Sequence, residues 1–219
     1  MLRLGLFVGL SAAVFGISAQ GQTPRFPGWG DPVDPGNDCK IQLEDKALVF
    51  QVPAGTHVLK PFPEKQNAPR VLRDIEGNFV ATLKISGDFR GETANPEAAQ
   101  SAGLLLWQDE KNFVRLERRT GKDGEVLAID YWKDGQPQEA TPGTPWKGNS
   151  AWIRLTRRMD KLKAETSEDG KTWADLKNLG SVRLSSRLNL GTLVTNTAPK
   201  PANARFEEFQ VKAIPLYPQ

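Results

Sequence analysis

The sequence predicts an all-β protein, an antiparallel sandwich or barrel, and three observations carry that expectation. Short apolar or alternating runs recur along the chain, separated by Gly, Asn, Asp and Pro, the punctuation of strands and turns. No window sustains an i, i+3, i+4, i+7 apolar pattern, so helices should be brief or absent. Twenty glycines, sixteen prolines, six tryptophans and ten phenylalanines in 219 residues suit aromatic-rich strands joined by many turns. About a dozen such strands make a sandwich or a barrel.

The elements follow in chain order. Residues 1–19 carry a basic start at Arg3, an apolar run from Leu4 to Ile17 and then Ser18-Ala19-Gln20, the layout of a secretory signal peptide cleaved after Ala19. The run falls short of the ~20 residues a spanning helix needs; a retained anchor is the alternative. Residues 20–28 read as a Gln, Pro and Gly linker, and Asp31 to Asp38 as turn chemistry. Strands are expected near 39–43, 46–52, 70–75, 78–88, 102–108, 112–119, 125–132, 150–158, 161–167, 181–183, 188–195 and 204–213. Asp-Gly pairs at 123–124, 134–135 and 169–170 favour type I′ hairpin turns, and Thr141 to Gly148 reads as a loop. The domain is expected over 29–213, with 214–219 as a tail.

Composition excludes several functions. Basic residues number 29 against 26 acidic, a net charge of +3, small and spread out, which gives no footprint for nucleic acid. One histidine and one cysteine rule out a zinc site built from several His or Cys ligands and an internal disulfide. A Cys-His catalytic pair would have to be Cys39 with His57. Cys39 leads into Ile41-Gln42-Leu43 and is expected to be buried. Asp31, Asp34, Asn37 and Asp38 could offer oxygens to calcium, but turn formation explains them more simply. No metal and no cofactor is expected.

Three blocks resemble a known family: Asn67 to Leu72 with Gly77 to Ser86, Gln100 to Leu106 with Asp109 to Glu117, and Ser167 to Trp173. Together they are similar to the regulation-of-enolase-type domain of unknown function, within the concanavalin A-like lectin/glucanase superfamily. The resemblance covers about Trp29 to Ala213. It implies a jelly-roll sandwich of two curved antiparallel sheets, with a concave face that in the superfamily often holds a carbohydrate.

A glucanase of that superfamily would carry Glu-x-Asp-x-Glu on one strand, and the string does not occur. Glu207 and Glu208 are neighbours that a regular strand points to opposite faces. Glu117 and Asp130 could face each other if 113–119 and 125–132 pair, though cross-strand ion pairs with nearby arginines explain them as well. If Val114, Leu116, Leu127, Ile129, Ile153 and Leu155 face the core, the opposite face collects Arg115, Glu117, Arg119, Asp130, Trp132, Trp152 and Arg154. Indole rings stack on sugar C–H faces, charged groups bind hydroxyls, and the arginine fork suits an acidic sugar. A solvated face laced with salt bridges is the plainer alternative. Trp107, inside an apolar run, is expected in the core. His57 could line one end of a groove near Arg70, or make a turn hydrogen bond.

The expected function is an exported, secreted or periplasmic, non-catalytic module. It would bind a glycan or polysaccharide through Trp132, Trp152, Arg115, Glu117, Arg154 and Asp130, with His57 and Arg70 at the margin. A glycoside-cleaving enzyme on the same fold and a cell-surface protein-interaction module remain the alternatives.

Overall fold

The computed structural model describes residues 26–61, 63–89, 98–121, 124–140 and 143–215. The expected signal peptide and the first residues of the turn at Lys122-Asp123-Gly124 lie outside the described residues. The strands are β1 (Asp31–Val33), β2 (Lys40–Glu44), β3 (Ala47–Val52), β4 (Arg70–Glu76) and β5 (Phe79–Ser86). Then come β6 (Gln100–Asp109), β7 (Asn112–Gly121), β8 (Gly124–Lys133), β9 (Gln136–Ala140) and β10 (Thr144–Pro145). The last five are β11 (Ser150–Arg158), β12 (Lys161–Ser167), β13 (Ala174–Leu179), β14 (Arg187–Asn196) and β15 (Ala202–Ala213). Among the described residues there is no helix.

Two antiparallel sheets result. The front sheet runs β1-β4-β14-β6-β7-β8-β10, with β9 also on β8, and the back sheet runs β13-β12-β11-β5-β15-β3-β2. Alternation along each strand sends one side chain in two between the sheets. From the front come Val71, Leu104, Leu106, Val114, Leu116, Leu127, Ile129 and Leu190; from the back Phe50, Leu83, Ile85, Ile153, Leu155 and Phe206. Phe50 meets Phe206 edge to face, centroids 5.4 Å apart. Each such side chain stabilises the fold by about 1.5–3 kcal/mol through burial. The parity expected for Val114, Leu116, Leu127, Ile129, Ile153 and Leu155 holds throughout.

Arg118 takes a core-side position on β7 and is 2% exposed. Its Nε donates to Glu125 Oε2 at 2.7 Å, and Nη1 donates to Asn149 O at 2.8 Å and Gly87 O at 3.2 Å. Those carbonyls flank the back-sheet strands β5 and β11, so one guanidinium ties the two sheets at an end of the sandwich. Gly103 and Gly191 allow neighbouring backbones to close up, since a β-carbon there would run into Leu116 O and Val71 O.

Several local expectations are corrected. The strand expected near 181–183 lies instead at Ala174–Leu179, where a polar stretch pairs as the edge strand beside β12. Asp31–Val33 pairs with β4 rather than staying a turn, and the loop from Thr141 to Gly148 contains the short β10. Asp134 and Gly135 have φ 52° and 77°, the left-handed pair a type I′ turn requires. At Asp169-Gly170 only the glycine is left-handed; the Asp169 carboxylate instead accepts from the amides of Lys171 and Thr172 at 2.8 Å each. Glu207 and Glu208 do not point apart. The β15 register slips between Glu207 and Gln210, Glu208 takes φ 54°, and both carboxylates reach the outer face, on Lys84 and Trp152 respectively.

Candidate functional site

The outward face of the front sheet is a grid set by register. Thr195, Ser101 and Arg119 form one row; Leu193, Gly103, Glu117 and Ala128 the next. Gly191, Leu105, Arg115 and Asp130 follow, then Asn189, Trp107, Phe113 and Trp132. Polar groups therefore gather at one end of the grid and aromatic rings at the other.

A segment over residues 53–69 folds across this face. His57 and Asn196 exchange backbone hydrogen bonds of 2.8 and 2.9 Å, and Ala68 N donates to Val58 O at 3.0 Å. Asn67 accepts from Val58 N at 3.0 Å and donates to Thr56 O at 2.7 Å. Leu59 and Ala68 are thereby pressed onto Leu105, Phe113 and Leu193, a second apolar cluster outside the main core. Beside this cover lies an open groove of about 680 Å³. Strand residues Ser101, Arg115, Glu117, Arg119 and Thr195 face it from the sheet, and Thr56, Lys60, Glu64 and Lys65 from the segment, with Lys60 paired to Glu64 at 3.0 Å.

Arg115 organises the groove floor. Its Nη2 lies 3.4 Å from Asp130 Oδ2 and its Nε 3.7 Å from Glu117 Oε2, while Nη1 donates to Leu59 O at 3.2 Å. Its guanidinium lies 4.5 Å from the centroid of Trp132. Arg119 pairs with the same Asp130 oxygen at 2.6 Å. Glu117 is 2% exposed and accepts from Ser101 Oγ at 2.8 Å, with Thr195 Oγ1 2.7 Å beyond. Asp130 Oδ1 is buried without a protein partner. Buried charges persist when paired and hydrogen-bonded, so these side chains are held in fixed directions before any ligand arrives.

The expected site residues separate into three places. Arg115, Glu117 and Asp130 come together as expected. Trp132 shares their face but does not line the groove; it stacks on Phe113, centroids 4.9 Å apart, and carries Arg115. Trp152 and Arg154 do not join them. They stand on β11, on the outer face of the back sheet, where Trp152 Nε1 donates to Glu208 and Arg154 donates to Glu165 at 2.7 Å while covering Trp173 at 4.1 Å. The Arg154 guanidinium holds the Glu165 carboxyl below its usual range. Parity told outward from inward correctly, but it carries no information on which sheet a strand joins. Arg70 lies on the front face beyond the cover, 5.1 Å from the centroid of Trp107. Trp107, expected in the core, is half-buried on this outward face and stacks on Phe113.

His57 turns away from the groove. Its side chain is 5% exposed, and Nε2 lies 3.1 Å from Asp38 Oδ2, which with Asp38's neighbouring bonds lowers the carboxyl from its ordinary value. Cys39 is half-buried rather than buried, with Sγ 3.4 Å from Asp38 Oδ1. Sequence reasoning missed Ser101, Thr195, Lys60 and Lys65. The two proline-flanked turns of 53–69 mark a loop, but nothing in them says which face it covers.

Fold and groove together define a concanavalin A-like jelly-roll sandwich with a polar groove on one sheet. Residues 33–214 match a family of proteins of unknown function, DUF1349, and the chain belongs to that family. A functionally unknown protein from Saccharomyces cerevisiae is similar over 85% of this chain and 97% of its own, with a TM-score of 0.71 and 13% identity. The GH43 protein BlXynB from Bacillus licheniformis aligns at a TM-score of 0.60 and 14% identity, over 76% of this chain but 33% of that one. The carbohydrate-binding module CBM66 from Bacillus subtilis aligns over 87% of this chain and all 100% of its own, at a TM-score of 0.53 and 10% identity. No curated protein matches the chain in sequence. Among the described residues no helix is long and apolar enough to cross a membrane.

Proposed function

We propose that the chain is an exported, non-catalytic glycan-binding module whose ligand lies in the groove on the front sheet. The observation that carries this reading is the preorganised floor: Arg115, Arg119, Glu117 and Ser101, locked to one another and facing an open groove of about 680 Å³. Fixed donors and acceptors in a shallow polar trough suit hydroxyl-rich ligands, because little side-chain entropy is lost on binding. Arg115, Arg119, Lys60 and Lys65 outnumber the lining carboxylates Glu64 and Glu117, a balance that favours a sugar bearing a carboxylate or sulfate. Trp132 serves by bracing Arg115 rather than by stacking on the sugar. Likeness in fold to a carbohydrate-binding module along its entire length supports the reading.

The decisive experiment is a binding screen of neutral and acidic glycans, with release of reducing ends assayed on every hit. Arg119→Ala and Ser101→Ala should each weaken binding, Arg119→Ala by roughly 10- to 100-fold, the worth of a charged hydrogen bond. Unchanged affinity in both folded variants overturns the groove assignment. Release of reducing ends would make Glu117 and Asp130 an acid and nucleophile pair. The engagement of Asp130 by two arginines at 2.6 and 3.4 Å favours binding over cleavage. A silent glycan panel with a tight protein partner would favour the interaction module. Amino-terminal sequencing of protein recovered outside the cell tests export and cleavage after Ala19.

A further inference from the structure

We propose that Asp38, Cys39 and His57 form a binding site for one divalent d-block cation of zinc-like softness. The site ties the turn before β2 to the segment that covers the front sheet. Donor atoms of the three residues all lie within 4.8 Å of one another. His57 Nε2 is 3.1 and 3.2 Å from the two Asp38 oxygens, and Cys39 Sγ is 3.4 Å from Asp38 Oδ1. Around a tetrahedral ion with bonds of ~2.0–2.3 Å, neighbouring ligand atoms sit roughly 3.3–3.7 Å apart. Two of the three edges of such a ligand face are therefore already close to length. The third, between Cys39 Sγ and the His57 ring, is no longer than 4.8 Å and closes by rotation of Cys39, which is half-buried.

The donor types select the metal. Thiol sulfur, imidazole nitrogen and one carboxylate oxygen suit zinc, cobalt or copper and are poor for calcium or magnesium, which take oxygen alone. Three protein ligands leave a fourth position, open to water on the exposed Asp38 side. A further carboxylate stands beside the three donors. Asp34 Oδ2 accepts from the Cys39 amide at 2.9 Å, and Asp34 Oδ1 is buried with no protein partner.

A catalytic thiol is the competing use of the same residues, and the geometry disfavours it. Cys39 Sγ is bonded to Asp38 rather than to the imidazole. Burial, with Asp34 and Asp38 adding to it, pushes the thiol well above its ordinary value, the opposite of an activated nucleophile. A bound cation reverses that balance: the Sγ–metal bond forms as the thiol proton passes to solvent, with no oxidation or reduction. His57 exchanges backbone bonds with Asn196 on β14, and its neighbours Thr56 and Val58 line the groove. A cation here would pin the groove wall from behind.

The test uses the whole chain, stripped with a chelator and then titrated with zinc chloride and with cobalt(II). One ion per chain is expected, with a thiolate-to-cobalt charge-transfer band and the strong visible absorption of tetrahedral cobalt. Loss of an outer-shell partner commonly weakens metal sites by ~10–100-fold, so Cys39→Ser and His57→Gln should each cost at least the upper end of that range. Cys39→Ser should also abolish the charge-transfer band. A cobalt spectrum without that band, absence of binding to the unaltered chain, or full affinity retained in both variants overturns the proposal. The spectrum of the unaltered chain decides the matter even if His57→Gln fails to fold.

Discussion

Arg115 touches two carboxylates, a carbonyl and an indole ring at once, and its replacement tests several contacts together. Arg115→Ala would leave Glu117 and Asp130, at 2% and 4% exposure, without their shared cation. Breaking a buried pair by removing one partner costs about 3–5 kcal/mol, although Arg119 keeps its bond to Asp130 and should hold the loss near the lower end. Chemical denaturation of the variant, read at constant slope, checks this. Asp169 offers a second test. The Thr172 and Lys171 amides that it accepts hold its carboxyl down at about 2, against an ordinary 3.8. A lowered folded value means stability present at neutral pH and lost on acidification, between roughly pH 4 and pH 2. Asp169→Ala should therefore melt earlier at pH 7, with the difference from the parent shrinking towards pH 2. A constant difference across that window would contradict the assignment. At this scale the sequence was partly legible. Alternation identified Arg115, Glu117 and Asp130 as outward neighbours, because their strands are consecutive and pair as hairpins. It grouped Trp152 and Arg154 with them wrongly, because β11 follows β10 in sequence but pairs with β5.

The covering segment is the element on which the groove depends. It is held by backbone bonds within itself and to β14, and its apolar anchors on the sheet are Leu59 and Ala68. Leu59→Ala should destabilise by about 2–5 kcal/mol if the segment and sheet unfold together. Local detachment would instead show as faster amide exchange at Val58 and Ala68 with little change in the global midpoint. Either result weakens glycan binding, since Lys60 and Lys65 move with the segment. Elements whose stability lies in a periodic apolar face were readable: β5, β7, β11 and β14 fall within a few residues of expectation. The edge strand β13 was not, because Ala174-Asp175-Leu176-Lys177-Asn178 has only one side to bury and its pattern is set by β12. The covering segment was invisible for a related reason. Its apolar residues answer a sheet face that takes shape only in the assembled fold.

Across the whole molecule, the two sheets share a core and are fastened at one end by Arg118. Arg118→Met should cost less than Arg118→Ala, because methionine fills part of the volume beside Phe89, whose ring centroid is 5.0 Å from the guanidinium, whereas alanine leaves a cavity as well as the unpaired carbonyls. Equal thermal midpoints for the two variants would show that the polar contacts alone matter.

The strand order has a consequence in time as well as in space. β14 lies between β4 and β6, and β15 lies between β5 and β3. Before those two strands are made, the front sheet is two separate pieces and so is the back. A growing chain therefore cannot close either layer until β14 and β15 have emerged, and pairings this distant in sequence are slow to form. Both layers stay unclosed until the last strands of the domain emerge, a delay that suits the proposed export, since an unclosed chain can still be threaded through a secretion channel.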